Sequence, residues 1–228
     1  AEAFRNAGDP YHELRALNGL ALALWWAGDY LAARAIFAQT LELSERLGDG
    51  RIQESGLHNL GSLADLLGDY EESLELKTRA AARSRAAENP MGVAVGLCNL
   101  GISLFKLGRY DEALRALDEA IALDRATGRR AGEAYCLISR GQALAAAGRP
   151  EEARAAFEAA RAIRREIGER DVLLSTEAEL ALLDLAAGRV EAALATAEDL
   201  RRRLAPDDRA DLREQVAYVS YRALAASG

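Results

Sequence analysis

The amino-acid sequence predicts an all-α fold of stacked, antiparallel helix pairs, because helix-breaking signals return at a fixed interval. The turn glycines lie 40 residues apart, at Gly28, Gly68, Gly108, Gly148 and Gly188, and a second set of breaks falls midway between them. Composition agrees with this, since the 228 residues are 50% hydrophobic, mostly Ala and Leu, with only four prolines, and such a composition favours helix over strand. A fixed interval of this kind is typical of a repeat array.

The residues at each break are typical of helix ends. Glycine just past a helix adopts the left-handed conformation that satisfies the last carbonyl groups. Asp9-Pro10 and Asn89-Pro90 predict an N-cap followed by the first helical residue. Asp69 and Glu72 predict a capping box, in which two side chains bond the N–H groups of a helix start. Each period therefore holds two helices of roughly 17 residues.

The elements follow in order along one domain, residues 1–228. Residues 1–8 are the end of a preceding helix, and five repeats cover about 9–48, 49–88, 89–128, 129–168 and 169–207. Residues 208–228 form a last helix, which is either a cap or a truncated repeat. Tyr221 favours a cap, because the earlier repeats carry Gly or Ala at its position. The partial first helix leads us to expect a fragment of a larger protein.

Small residues recur where the two helices of a pair are expected to cross. The position seven residues before each turn glycine is Ala21, Gly61, Gly101, Gly141 and Ala181. Glycine inside a helix costs about 1 kcal/mol relative to alanine, so its recurrence predicts a close approach of the partner helix. Phe37, Leu117 and Phe157 are large at one shared position of the second helix, where they would interlock with the small residues.

The net charge argues against nucleic acid and membrane partners, and the cysteine content indicates the cellular compartment. The net charge is −7 and the isoelectric point about 5.1, so the chain has no general attraction for nucleic acid or for an anionic membrane. The longest uncharged stretch, 89–105, is too short and too broken to span a bilayer. Two cysteines, Cys98 and Cys136, suit a reducing, cytoplasmic location, and their places on neighbouring first helices make a disulfide improbable.

No catalytic or metal-binding motif is present in the sequence. The phosphate-binding glycine loop, the nucleophile elbow and the zinc-protease helix motif are all missing. The two histidines, His12 and His58, fall in different repeats, and no Cys-x-x-Cys spacing occurs. We therefore expect no enzymatic activity, no catalytic residues, no metal and no cofactor.

The repeats resemble the tetratricopeptide repeat family. Leu97-x-x-Leu100-Gly101, followed by Gly108-x-Tyr110-x-x-Ala113, is similar to the signature of that family, and the segment from Leu57 to Ser73 is similar as well. The period is that of the long-helix type, which resembles kinesin light chains, Pins-type adaptors and the arrays of bacterial STAND-type regulators. The resemblance implies a right-handed α-solenoid superhelix whose concave surface is lined by the first helix of each pair.

Helical spacing selects ten first-helix positions that would face a partner on this concave surface, and the resemblance adds Asn59 and Asn99. The candidate partner-binding residues are Arg15, Asn18, Leu22, Trp25, His58, Asn59, Ser62, Asn99, Ile102, Phe105, Tyr135 and Gln142. The resemblance implies that Asn59 and Asn99 contact the backbone of an extended peptide; the alternative is that they bond within their own helix pair. Trp25 and Trp26 are either core or groove residues, and at most one faces the groove squarely.

These patterns predict a protein- or peptide-binding module from a larger bacterial regulatory protein. The partner would be a separate protein or another domain of the same parent chain, docked along the concave face. The module would be a monomer or associate weakly end to end. The alternative is a structural scaffold that assembles end to end.

Overall fold

The computed structural model describes residues 1–227, and this range contains helices and no strand. The helices are α1 (Glu2–Asn6), α2 (Pro10–Trp26), α3 (Tyr30–Leu47), α4 (Gly50–Leu67), α5 (Tyr70–Ala86), α6 (Pro90–Lys106), α7 (Tyr110–Ala126), α8 (Arg130–Ala146), α9 (Pro150–Ile167), α10 (Arg170–Ala186), α11 (Val190–Arg203) and α12 (Ala210–Ala226). The predicted all-α fold of repeated helix pairs is confirmed.

The turns between helices use left-handed backbone at a spacing of 20 residues. Nine glycines adopt φ between 68° and 85°, including all five predicted turn glycines. Glu88 stands where the interval calls for a tenth glycine, and it takes φ 50°, a conformation that L-residues other than Asn and Asp rarely adopt. The interval therefore dictates the backbone even where the residue type does not favour it.

Two of the predicted N-caps form as expected. The Asp9 carboxylate accepts a hydrogen bond from the backbone N–H of His12 at 3.2 Å, and the Asn89 side-chain oxygen accepts one from Gly92 N–H at 3.0 Å. Both caps precede a proline at the helix start. Each cap satisfies an N–H group that has no partner inside its helix.

The predicted capping box at the start of α5 is wrong. Asp69 is the N-cap residue, but its side chain accepts no hydrogen bond from the helix. The guanidinium of Arg34 on α3 instead pairs with both Asp69 and Glu72. A charged donor from the neighbouring helix thus outcompetes the local backbone N–H groups, because charge-assisted hydrogen bonds are the stronger ones.

The chain divides into two compact units, residues 1–123 and the part beginning at Asp124. The core of the first unit contains Phe37, Leu57 and Leu63, packed around the small residues Ala21 and Ala33. In the second unit, α10, α11 and α12 share a separate apolar cluster, formed by Leu174, Ala178, Ala181, Ala197, Leu200, Leu212, Val216 and Val219. Each unit is thus built from helix pairs around its own core.

The close helix crossings at the predicted glycines are confirmed. A β-carbon on Gly101 would lie 2.6 Å from Leu117 Cγ, and one on Gly141 would lie 2.7 Å from Phe157 Cε1. Carbon atoms in contact normally stay about 3.5–4.0 Å apart. Glycine is therefore required at these crossings in spite of its low helix propensity.

Two ion pairs of opposite polarity, each with one buried partner, occupy equivalent positions in the second unit. The Arg129 guanidinium donates to both carboxylate oxygens of fully buried Asp124, at 2.6 and 2.9 Å. Forty residues further on, buried Arg164 pairs with Glu169. Each pair joins the last turn of a second helix to the start of the next first helix.

Candidate functional site

All twelve candidate partner-binding residues lie on first helices, and none of them is fully buried. Ten lie in the first unit, on α2, α4 and α6, while Tyr135 and Gln142 lie on α8 in the second unit. Arg15, Leu22 and Tyr135 are exposed, and the other nine are half-buried. We call the surface formed by the ten residues in the first unit the first-helix face.

Asn59 and Asn99 have free side-chain amides. They occupy equivalent positions on α4 and α6, 40 residues apart, and within residues 1–227 neither side chain makes a hydrogen bond. Their amide atoms are not among the buried polar atoms that lack a partner, so they reach the surface. Bonding within the helix pair, the alternative considered above, does not occur.

Asn18 and His58 carry buried polar atoms that have no hydrogen-bond partner. They are again equivalent residues, on α2 and α4, and Asn18 Oδ1 and both ring nitrogens of His58 are buried without a hydrogen-bond partner. Burial lowers the pKa of His58, with Lys77 acting in the same direction and Glu54 opposing it. The imidazole is therefore neutral near neutral pH, and it offers one donor and one acceptor.

A cleft of about 650 Å³ opens between α2 and the start of α4. We call it the α2/α4 cleft; it is lined by Tyr11, Leu14, Arg15, Asn18, Gly19, Asp49, Arg51, Ile52 and Ser55. It contains two of the predicted residues, Arg15 and Asn18. Sequence reasoning missed Arg51, whose place on the same wall follows only from the way α4 lies beside α2.

The two adjacent tryptophans have opposite surroundings. Trp25 packs edge-on against Phe37, with ring centroids 6.1 Å apart, so the core-packing alternative describes it. Trp26 is 85% exposed. Further along the first-helix face, the ring of Phe105 lies 6.1 Å from that of Tyr110, which leaves Phe105 half-buried.

Sequence reasoning also missed a buried ion pair directly beneath the first-helix face. Lys77 stands at the position of Phe37 in the preceding repeat, is 2% exposed, and donates to Asp65 at 2.5 Å and to Ser103 at 2.8 Å. Its Cγ lies 3.0 Å from where a β-carbon on Gly61 would be. A charged residue in a column of large apolar ones was the signal available in the sequence.

Burial and pairing act against each other at this ion pair. Burial alone would raise the pKa of Asp65, but the hydrogen bond and charge of Lys77 outweigh it and hold that pKa below its ordinary value. Burial lowers the pKa of Lys77, although Asp65 opposes the shift. The carboxylate is thus charged near neutral pH and depends on its partner.

In the second unit, polar side chains on α8, α10 and α12 bond one another in a hydrogen-bonded network, and they are not left free as Asn59 and Asn99 are. Gln142 donates to Glu179 at 3.0 Å, Gln215 donates to Glu179 at 3.5 Å, and Ser175 donates to Gln215 at 2.7 Å. Burial raises the pKa of Glu179, which occupies the position of Asn59 and Asn99 in its own repeat. The predicted residue Gln142 is therefore engaged inside the unit.

Within residues 1–227, no group of three or more His, Cys, Asp or Glu side chains could hold a metal ion. Over the same range, no helix is long and apolar enough to cross a membrane. Cys98 and Cys136 are both buried and free.

Comparison with known proteins gives a family match and several structural neighbours. Residues 12–86 and 92–166 match the family model of the tetratricopeptide repeat, whereas no curated protein matches the chain. BtubC (BKLC) from P. vanneervenii has a TM-score of 0.74 and 20% identity, over 91% of this chain and 88% of that one. A STAND protein with a tetratricopeptide repeat sensor, from Pyrococcus horikoshii, has a TM-score of 0.76 and 17% identity, over 96% and 36%.

A third neighbour was solved with a ligand. The Rap conjugation gene regulator of plasmid pLS20, in complex with the Phr* peptide, has a TM-score of 0.68 and 17% identity, over 81% of this chain and 51% of that one. At such identities the likeness concerns the fold alone.

Proposed function

The chain belongs to the tetratricopeptide repeat family, and we propose that it is a non-catalytic, peptide-binding module of a cytoplasmic bacterial regulator. An extended segment of a partner, or of the parent protein, docks along the first-helix face. The family and the fold support an interaction module. The Rap regulator bound to a peptide and the STAND protein with a repeat sensor support the regulatory role.

The observation that carries this proposal is the pair of free amides, Asn59 and Asn99. An amide both donates and accepts, and so does each residue of an extended peptide backbone. Two such amides at equivalent positions on neighbouring helices therefore match the alternating groups of a strand-like ligand. A face that served only to be solvated would carry charged residues instead.

Unpartnered buried atoms strengthen the argument. Leaving a buried donor or acceptor unsatisfied costs about 1–3 kcal/mol. Asn18 Oδ1 and the two His58 nitrogens are in this state. A ligand that drew these side chains toward the surface and bonded them would recover that free energy.

The test uses peptides selected from a random display library by the immobilised protein, with affinities measured by calorimetry. Asn59→Ala and Asn99→Ala should each weaken binding by about 1–2 kcal/mol, roughly fivefold to thirtyfold, because each removes hydrogen bonds to the ligand backbone. Circular dichroism should be unchanged, since neither side chain contributes a hydrogen bond to the fold.

The matched control is Gln39→Ala, which removes an exposed amide from the second helix α3. It should leave the affinity unchanged. If Gln39→Ala weakens binding while the two asparagine variants do not, the ligand lies on the other side of the repeats, and the end-to-end scaffold becomes the better account.

A further inference from the structure

We infer that the α2/α4 cleft recognises an acidic side chain of the bound segment, with Arg15 and Arg51 supplying the positive charge. This inference rests on the proposed function, since the acidic group belongs to the docked peptide. It adds the chemical class of that peptide and a specific place for its charge.

Arg15 and Arg51 have no ion-pair partner within residues 1–227, although both line the same cleft. Scarcity of carboxylates does not explain this, because the chain has 36 Asp and Glu against 29 Lys and Arg. Many other arginines do pair, as Arg34 and Arg129 do with two carboxylate oxygens each. Unpaired arginines also occur on exposed second helices, so the feature that singles out Arg15 and Arg51 is that both line one cleft.

The other repeats do not carry arginine at these two positions, so the pair is specific to this place in the array. The residues equivalent to Arg15 are Ser55, Val95, Tyr135, Ser175 and Gln215, and those equivalent to Arg51 are Tyr11, Met91, Ala131, Asp171 and Asp211. Neither column contains another basic residue. The two arginines thus come together at one interval of the array and nowhere else in these two columns.

The lining of the cleft suits a peptide rather than a small ion alone. Asn18 lines the cleft, and its buried Oδ1 has no donor, so a backbone N–H of the ligand can satisfy this atom once the side chain turns into the cleft. A β-carbon on Gly19 would meet nothing within 4 Å, so a ligand can approach the helix backbone there. The volume of about 650 Å³ lies in the range of known ligand sites.

The charges that line the cleft favour binding of a carboxylate beside Arg15 and Arg51. Asp49 is the one acidic lining residue, and its side chain already accepts a hydrogen bond from Ile52 N–H at the start of α4. The lining therefore keeps one net positive charge, from two guanidinium groups and one carboxylate. Guanidinium forks bind carboxylates bidentately, which gives both affinity and geometry.

The experiment applies the same random peptide library to the wild type, to Arg15→Gln/Arg51→Gln, and to the control Arg46→Gln/Arg201→Gln. The control removes two exposed arginines without ion-pair partners from the second helices α3 and α11, so both double variants change the net charge equally. Peptides retained by the wild type should be enriched in Asp or Glu at one position. That enrichment should vanish for Arg15→Gln/Arg51→Gln and persist for the control.

A selected peptide then gives the size of the effect by calorimetry. Changing its acidic residue to the amide should lower its affinity for the wild type roughly tenfold or more. The same change should leave the affinity of Arg15→Gln/Arg51→Gln nearly unaltered, and added salt should weaken the wild-type complex more than the variant complex.

The outcomes separate this inference from the proposed function. If the wild type selects peptides without an acidic preference, or if Arg15→Gln/Arg51→Gln keeps that preference, the acidic site is refuted while peptide binding stands. If the wild type retains no peptide from the library, both are refuted.

Discussion

The first and second repeats fill the same two positions with opposite chemistry. In the first repeat, Trp25 and Phe37 meet edge-on, with ring centroids 6.1 Å apart. Forty residues on, Asp65 and Lys77 form an ion pair with 2.5 Å between carboxylate oxygen and ammonium nitrogen. Both large side chains of the second helix are buried, Phe37 completely and Lys77 to 2% exposure.

This difference shows that the repeat register determines where a side chain points but not what chemistry it brings. An aromatic pair is stabilised by burial and ring geometry. A buried ion pair must first offset the loss of hydration of two charges. Lys77 and Asp65 do so with help from Ser103, which bonds both partners. The aromatic pair carries no charge and needs no such help.

The largest expected effect comes from breaking the ion pair on one side. Asp65→Ala leaves the Lys77 ammonium buried without its carboxylate, and it should lower the free energy of unfolding by about 3–5 kcal/mol. Chemical denaturation followed by circular dichroism measures this loss. Glu71→Ala, at an exposed residue of α5, is the control and should change stability by less than about 0.5 kcal/mol. Equal losses in the two variants would show that the pair is not buried.

A smaller loss of stability is expected at the helix crossing of the third repeat, where Leu117 occupies the position of Phe37 and Lys77. Gly101→Leu would force a side chain against Leu117 Cγ, 2.6 Å from the new β-carbon, and should cost about 1–3 kcal/mol. Gly19→Leu provides the contrast, because Gly19 is also inside a first helix but its β-carbon would be free. That variant should be more stable than the wild type, by up to about 1 kcal/mol. Thermal melts that rank the two variants the other way would contradict the close crossing.

The smallest effect at neutral pH is expected when the ion pair is exchanged for the pair of the third repeat. Asp65→Phe/Lys77→Leu installs the equivalents of Phe105 and Leu117, and it should be no less stable than the wild type, since replacing a whole buried ion pair by apolar residues is often neutral or better.

Acid then separates this double variant from the wild type. Lys77 holds the pKa of Asp65 below its ordinary value of 3.8, so the carboxylate contributes stability that is present above that value. This contribution is lost as pH falls through the lower, folded pKa. The wild type should therefore lose more stability than the variant below about pH 4. Parallel losses in urea titrations over this range would contradict the assigned pairing.

The fold could be predicted from the sequence because its signals are local and repeated. Turn glycines and the caps at Asp9 and Asn89 act within a few residues of their own position, and the interval repeats them until chance is excluded. The capping box at Asp69 failed for the opposite reason. Its outcome depends on Arg34, 35 residues away, and a local pattern does not report a competing partner from another helix.

The candidate site could be predicted only in part. Helical spacing identified first-helix positions that the structure leaves exposed or half-buried. It left open whether Asn59 and Asn99 bond within their helix pair, and only the structure showed that their amides are free. Arg51 was missed because it joins Arg15 through the packing of α4 beside α2, and Glu179 was missed because its burial depends on three helices meeting. Contacts between residues of different repeats can be known only from the structure, whereas the position of a residue within its own repeat can be predicted from the sequence.

The two junction ion pairs of the second unit have a consequence for how the gene can change. Recombination between neighbouring repeats adds or removes whole copies. Deleting 129–168 would join Asp124 to Glu169, two carboxylates at a site where Asp124 is fully buried. Duplicating the same segment would join Arg164 to a second copy of Arg129, two guanidinium groups. Like charges so placed are costly, and the opposite polarity of these two junctions therefore disfavours both loss and duplication of this one repeat.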